Sequence, residues 1–454
     1  NFHNLTKKKS IISQHIDFYA RKSLFITGGT GFLGKVLIEK ILFSCPEIDN
    51  IYMLIREKKG LTIDQRINIL FEDTLFERLK DKRPQNLKKL IPIAGDINSP
   101  NLGISREDET TLIEKVSLVV HSAATVKFNE PLKVAWNTNV EGTKMMLKLT
   151  QRMKRVEVFI HISTAFCNIQ EALDETLYPA PATMDEMYEL LKQDLTEADT
   201  RRIIGERPNT YVFTKAITEH LVAENQAHMP TIIIRPSIVG AINSGPIKGW
   251  LNNWYGATAI LTAITKGLNR VIYSRESNAI DLIPVDYVIN LVIAAGANYH
   301  RSEKLQIYNS CSSGCNPISI ERLIELFGVD IIKRKLYVLP FPQRYLFTRH
   351  FWLASIVTFL FQMVPAYIAD IFLYFTGKQT MYVKLQYRII ELRNSTKFFT
   401  ERTWFMKSNA TQELYASLTP SDKEMFPCDA ADINWSEYIH DYSAGVRQFL
   451  EKIK

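Results

Sequence analysis

The segment SLFITGGTGFLGKVLIEKIL, residues 23–42, limits what this chain folds into more than any other. An apolar run ends on glycines and gives way at once to apolar residues at helical spacing: Val36, Leu37, Ile38, Ile41 and Leu42. Gly28, Gly31 and Gly34 set a G-x-x-G-x-x-G rhythm between the two. Gly28 permits the tight turn, Gly31 lets a diphosphate reach the backbone, and Gly34 lets the helix pack closely on the strand. The free N–H groups and the dipole at the helix start favour an anion. In this strand–turn–helix setting the glycines read as a dinucleotide site, with Thr27, Phe32 and Leu33 as flanking cofactor-binding candidates.

The following sequence repeats the alternation. NIYMLIR, LIPIAGDI, VSLVVHSAA, VFIHISTAF and TIIIRPSIVG read as five further strands. Between them, TIDQRINILFEDTLFERL and NVEGTKMMLKLTQRM read as amphipathic helices. Such alternation predicts an α/β fold, a Rossmann-type doubly wound parallel sheet with helices on both faces. A polar segment at about 170–208, containing MDEMYELLKQDL, reads as an insertion with a surface helix. The chain's 454 residues suit two domains. A tail over 1–17, a dinucleotide-binding domain over 18–345 and a mainly helical domain over 346–454 are expected. LPFPQR (339–344) would be the linker.

The second strand bears on cofactor choice. An NAD site commonly ends this strand on a carboxylate that binds the ribose 2′-OH. Here it ends on Arg56, with Lys58 and Lys59 close behind, which suits a 2′-phosphate and predicts NADPH. Asp96, followed by Ile97, stands where a carboxylate would meet the adenine amino group. Ser122, Ala123 and Ala124 end the fourth strand with side chains small enough for a ribose or diphosphate to lie close.

Two tyrosine–lysine pairs share i,i+4 spacing: Tyr211/Lys215 and Tyr188/Lys192. Such pairs lie on one helix face. Only the first falls between the fifth and sixth strands, after the hydroxyls Ser163 and Thr164 of HISTAF. A lysine there would lower the phenol pKa, and the tyrosine would protonate the alkoxide formed when a hydride reaches a carbonyl. Tyr188/Lys192 lies in the polar insertion and reads as an ordinary surface pair.

Net charge is +7, with a pI near 8.9. The only basic run near the start, TKKKS, reads as a solvated tail, so no nucleic-acid partner is expected. Phosphate-bearing ligands or a membrane surface account better for the excess charge. Five scattered cysteines, including Cys311 and Cys315, lack a second Cys/His pair, so no metal site is expected. They read as reduced thiols facing the cytosol. No secretory signal opens the chain, and its first residue, Asn1, implies residues upstream. Residues 351–369, FWLASIVTFLFQMVPAYIA, carry no charge, and DIFLYF extends the apolar run to 375. That length approaches a membrane span, but Gln362 and Pro365 weaken a plain spanning helix. Membrane contact as a re-entrant or hairpin-like segment stands level with a full crossing, and a buried helix pair is the lesser alternative. Arg344, Arg349, Lys378 and Lys384 flank it.

TGGTGFLGKVLIEKIL, HSAATVKFNEPL, NVEGTK, HISTAF, NTYVFTKAITEH, IIIRPSIVG, GPIKGWLNNWYGA and DLIPVDYVIN together resemble the fatty acyl-CoA reductases, extended members of the short-chain dehydrogenase/reductase superfamily. Residues from about 350 onward resemble that family's C-terminal sterile domain. The resemblance implies reduction of long-chain acyl-CoA to fatty alcohol with two NADPH, through an aldehyde. It implies Tyr211 and Lys215 as the catalytic pair, Thr164 (or Ser163) as the strand-end hydroxyl, and Pro236 and Ser237 beside the nicotinamide. The expected location is the cytosolic face of an intracellular membrane, peroxisomal or endoplasmic. A sterol or sugar-nucleotide oxidoreductase, or a non-catalytic NADPH-binding membrane scaffold, are the rival readings.

Overall fold

The computed structural model describes residues 13–227, 229–299, 305–333 and 344–451. The basic run at 6–10 and most of the expected linker, 339–343, lie outside the described residues. Two compact units divide the chain. The first comprises 1–237, 285–311 and 408–430, the second 238–284, 312–407 and 431–454. The division therefore differs from a single cut at 345. The chain leaves the first unit after Ser237 and returns to it twice, because the strand and helices at 285–311 and 408–430 complete the first unit's packing.

The first unit is built on seven parallel strands: β1 (Ser23–Thr27), β2 (Asn50–Ile55), β3 (Leu90–Ala94), β4 (Leu118–His121), β5 (Val158–Ile162), β6 (Thr231–Pro236) and β7 (Gln306–Ser310). Their spatial order is 3-2-1-4-5-6-7, the doubly wound Rossmann arrangement extended by one strand. Registers such as Leu24↔Leu118, Val120↔Ile160 and Ile160↔Ile232 hold the centre of the sheet together. β1, β4, β5 and β6 are buried along their whole length, which explains their unbroken apolar runs. β7 is an additional strand, the short QIYNS segment paired from Gln306↔Ile232 to Ser310↔Pro236. The order reverses at β1, so a crevice opens between the carboxyl ends of β1 and β4.

Four helices matter for the site: α1 (Phe32–Ser44), α2 (Ile63–Glu72), α3 (Gly142–Gln151) and α4 (Thr210–Glu224). The segment read as one helix over 62–79 breaks at Asp73, whose Oδ1 accepts from the Leu75 N–H and restarts the chain as a tight turn. The insertion helix Met184–Leu191 is not a free surface helix. Met187 and Leu191 join the core cluster with Trp136 and Phe213, so only its outer face is polar. In the second unit, Gly249 (φ +73°) lies so close to helix Trp435–Gly445 that a Cβ would overlap the Asp441 carbonyl.

Candidate active site

β1 ends on Thr27, and Gly28 turns the chain with φ +76°. A Cβ on Gly28 would sit 2.9 Å from the Ala123 nitrogen, so the β1 and β4 ends touch through this glycine. Gly31 is the N-cap of α1 and carries no side chain over the helix's free N–H groups. A Cβ on Gly34 would overlap the Gly28 carbonyl and the Gly29 Cα. Phe32 and Leu33, in the first turn of α1, are half-buried, as are Ser122, Ala123 and Ala124.

Beyond β2, the Arg56 Nη1 donates to Asp96 Oδ2 at 2.6 Å, and Asn98 donates to Asp96 Oδ1 through its N–H and its amide. Burial raises the Asp96 pKa, but the Asn98 and Arg56 bonds outweigh it and hold the carboxyl below its ordinary range. Asp96 thus anchors the cation first of all, since both its oxygens are engaged. The sequence reading missed Arg66 and Thr30. From α2, Arg66 bonds the Arg56 carbonyl with Nη1 and reaches the Thr30 hydroxyl at 3.2 Å with Nη2. Lys58 is pulled down by burial and then by Arg56, Arg66, Lys59 and Lys127, the mark of a cationic cluster beside the glycine turn. Ile97 points its side chain into Gly142 and the core, so it offers a ligand only backbone.

At the other end of the site, Asn209 caps α4 by accepting from the Val212 N–H at 2.9 Å. Tyr211 stands half-buried in the first turn and Lys215 is buried one turn on. The Thr164 hydroxyl lies close enough to the Tyr211 phenol to draw its pKa down, and it donates to the Pro236 carbonyl at 3.5 Å. The buried Ser163 hydroxyl lies near the Cys167 thiol without a hydrogen-bond partner among the described residues. Burial, with Cys167 adding to it, raises the phenol pKa well above its ordinary range. The expected lowering by Lys215 is therefore not what the protein alone produces. The Lys215 ammonium donates to the Ile162 carbonyl at 2.6 Å, and burial brings its own pKa down to about 8 against the pull of Glu219 and Cys167. Pro236 ends β6, and the buried Ser237 hydroxyl has no partner among the described residues.

Glu219 extends the Tyr211–Lys215 face by one more turn, a signal at i+8 that spacing alone offered. It holds Arg235 through two bonds of 2.8 and 2.7 Å and accepts from the Cys167 thiol at 3.3 Å. Arg235 in turn donates to the carbonyls of Asp174 and Thr176, tying the insertion's first residues to β6. Tyr188 is occupied elsewhere. Its hydroxyl donates to Glu141 at 2.7 Å and accepts from Lys144 at 2.7 Å, while Lys192 pairs with Glu189.

A buried chain of hydrogen bonds joins the two ends of the site. Thr27 accepts from the Ala123 N–H. Thr143 donates to the Asn139 carbonyl, so it takes the proton of Nε2 of the neutral His121 ring at 2.9 Å. Nδ1 then carries no proton, and the Thr27 hydroxyl donates to it at 2.7 Å. The Asn139 amide donates to Thr214, whose hydroxyl bonds the Tyr211 carbonyl at 3.1 Å. A π-helical bulge over Asn137–Glu141 carries Asn139 at the junction with α3. Burial and the nearby Lys215 keep His121 neutral, with its pKa near 3. Among the described residues no cluster of three His, Cys, Asp or Glu could hold a metal ion.

Residues 26–292 match the family profile described as "Male sterility protein", and residues 361–452 match a second profile of the same description, that of its sterile domain. The chain is 34% identical over 447 residues to fatty acyl-CoA reductase 1 of Homo sapiens, covering 96% of this chain and 85% of that one. It is 36% identical over 453 residues to fatty acyl-CoA reductase 2 of Mus musculus, covering 96% and 86%. Among solved structures, the terminal R domain of the myxalamid PKS-NRPS pathway shares the fold at a TM-score of 0.63 and 20% identity, covering 94% of this chain and 91% of that one. The reductase domain of a nonribosomal peptide synthetase from Mycobacterium tuberculosis does so at 0.61 and 18%, covering 95% and 92%.

Proposed function

The chain belongs to the fatty acyl-CoA reductase family, and from that premise we propose that it reduces long-chain acyl-CoA to fatty alcohol with NADPH, through an aldehyde-level stage. The observation that carries this reading is the meeting of Thr164, Tyr211 and Lys215 at the β5 end and the start of α4, linked to the glycine turn through His121 and Asn139.

A dinucleotide fits the residues present. The glycine turn has no room for a Cβ at Gly28 or Gly34, and the Ser237 hydroxyl lacks a partner among the described residues. Arg56, Arg66 and Lys58 would hold a 2′-phosphate, with Asp96 committed to Arg56. When bound, the cofactor supplies hydride, twice over the path from thioester to alcohol.

The rest is work for the protein's own groups. Thr164 and Tyr211 hold the substrate carbonyl oxygen between two hydroxyls. The raised pKa keeps the Tyr211 proton in place at neutral pH, ready for the oxygen as negative charge develops there. Lys215, protonated below about pH 8, keeps a positive charge one helical turn away and stabilises that oxyanion. At the thioester stage the carbon–sulfur bond then breaks and CoA departs. At the aldehyde stage the proton stays on the alcohol oxygen. Pro236 and Ser237 line the nicotinamide end.

The apolar helix Phe351–Phe375, with a mean hydropathy of 1.8 and little of it buried, supports contact with a membrane. We place the protein on the cytosolic face of an intracellular membrane, peroxisomal or endoplasmic.

The test is to incubate the protein with acyl-CoAs of graded length and either NADPH or NADH, and to identify alcohol and aldehyde. Tyr211→Phe is expected to lower product formation by on the order of 10²- to 10⁴-fold, while Tyr188→Phe leaves it within about twofold. Full alcohol formation by Tyr211→Phe refutes the assignment.

A further inference from the structure

The helix α5 (Phe351–Phe375) of the second unit has its polarity reversed relative to a helix of a water-soluble domain. Its outward side chains are apolar, among them Phe351, Trp352, Phe359, Phe361, Phe372 and Phe375, and the last two are 67% and 81% exposed. Its inward stripe is Ala354, Thr358, Gln362, Ala366 and Asp370, spaced four residues apart. Three of these five are polar, and each is bonded within the unit.

The partner along that stripe is α6 (Tyr382–Thr400). Asp370 accepts from the N–H groups of Met381, Tyr382 and Val383 and so caps the start of α6. Further along, Gln362 donates to Gln386 at 2.9 Å and also accepts from the Arg270 N–H at 3.0 Å. Nearer the start of α5, Arg393 donates to Thr358 at 2.9 Å. α6 therefore runs antiparallel to α5 over most of its length, and it carries Lys384, Arg388, Glu391, Arg393 and Lys397. At the first turns, Ala354 packs on Val271 and Tyr273.

Building on the membrane contact read above, we propose that α5 lies in the plane of one leaflet, its outward face sunk among the acyl chains, rather than crossing the bilayer. A crossing would take the charged side chains of α6 into the hydrocarbon alongside it, where each charge is expensive. The flanking charges agree. Arg344 and Arg349 precede α5, and Lys378, Lys384 and Arg388 follow it, all exposed. Between 344 and 390 the only carboxylate is Asp370, which is buried. A spanning helix concentrates cations on one side of the bilayer. Cations at both ends put both ends at the same anionic headgroup surface. Trp352, Tyr367 and Tyr374 on the exposed side suit the boundary between headgroup and acyl chain.

The experiment floats the whole chain on vesicles of phosphatidylcholine with and without phosphatidylserine. Flotation is expected, stronger with the anionic lipid. Phe359→Glu/Phe372→Glu is expected to lower partitioning by on the order of 100-fold, about tenfold per residue, with NADPH binding kept as the check on folding. Depth is read in a Cys315→Ser background, since the other four thiols are buried. A fluorophore is placed at Phe351→Cys, Leu360→Cys or Phe372→Cys and quenched by lipid nitroxides. Equal, shallow depths at all three sites support the in-plane helix. Depths spread over about 30 Å, the rise of 21 helical residues, overturn it while leaving membrane contact standing. Absence of flotation overturns both readings. A solution dimer that the double variant dissociates would put a second copy on this face and also overturns the proposal.

Discussion

Replacing Lys215 with methionine separates catalysis from stability in a way the structure makes quantitative. The ammonium is buried, and its pKa falls from 10.5 to about 8. At about 1.36 kcal/mol per pH unit, that gap corresponds to about 3 kcal/mol. The folded pKa lies below the unfolded one, so between pH 8 and 10.5 the unfolded chain binds the extra proton and stability rises with pH. Below pH 8 both states are protonated and the folded state carries the whole penalty; above 10.5 neither does. Methionine removes the charge but leaves the Ile162 carbonyl without its donor, a loss of about 1–2 kcal/mol. The variant is therefore expected to be about 1–2 kcal/mol more stable than the parent at about pH 7, and that advantage reverses by about pH 10.5. Guanidinium unfolding of both proteins across this range is the measurement, beside alcohol formation, which should drop by on the order of 10²-fold or more. A stability difference that stays constant with pH refutes the buried ammonium. Undiminished alcohol formation refutes its part in the reaction.

Arg66→Ala is expected to weaken NADPH binding about 10- to 100-fold, the worth of one charge-assisted hydrogen bond, and to leave NADH binding unchanged. Titration of both cofactors by fluorescence checks it, and equal weakening of the two would contradict a 2′-phosphate site. Glu219→Gln leaves the Arg235 guanidinium buried without its counter-charge, so stability should fall by about 3–5 kcal/mol. An unchanged denaturation midpoint would show that the pair bears no such load.

The parts of the site legible in the sequence are those whose geometry is local. The turn from β1 into α1 requires glycine at fixed positions, and α4 places Tyr211 and Lys215 on one face whatever surrounds it. The cation at the end of β2 is visible for the same reason. Arg66 was not, because α2 brings it back to Arg56 and Thr30 across a loop with no fixed spacing. Glu219 and Cys167 escaped notice because Arg235, on a different strand, gives them their meaning. The QIYNS strand is too short and mixed to announce itself, and it is a strand by virtue of the β6 edge it completes.

By itself the sequence determined the doubly wound class, the glycine turn and the tyrosine–lysine spacing, since each follows from backbone sterics and helix period within a few residues. It left two tyrosine–lysine pairs at the same spacing. Their places along the chain already set them apart, and the tertiary structure added what each one touches: Tyr211 lies near Thr164 at a strand end, while Tyr188 bonds Glu141 and Lys144. The tertiary structure decided which face of the 351–375 helix is exposed, because the direction of Thr358, Gln362 and Asp370 depends on α6 supplying the hydrogen-bonding partners. Periodicity reports that a helix has two faces; which of them is covered depends on what the rest of the chain brings against it.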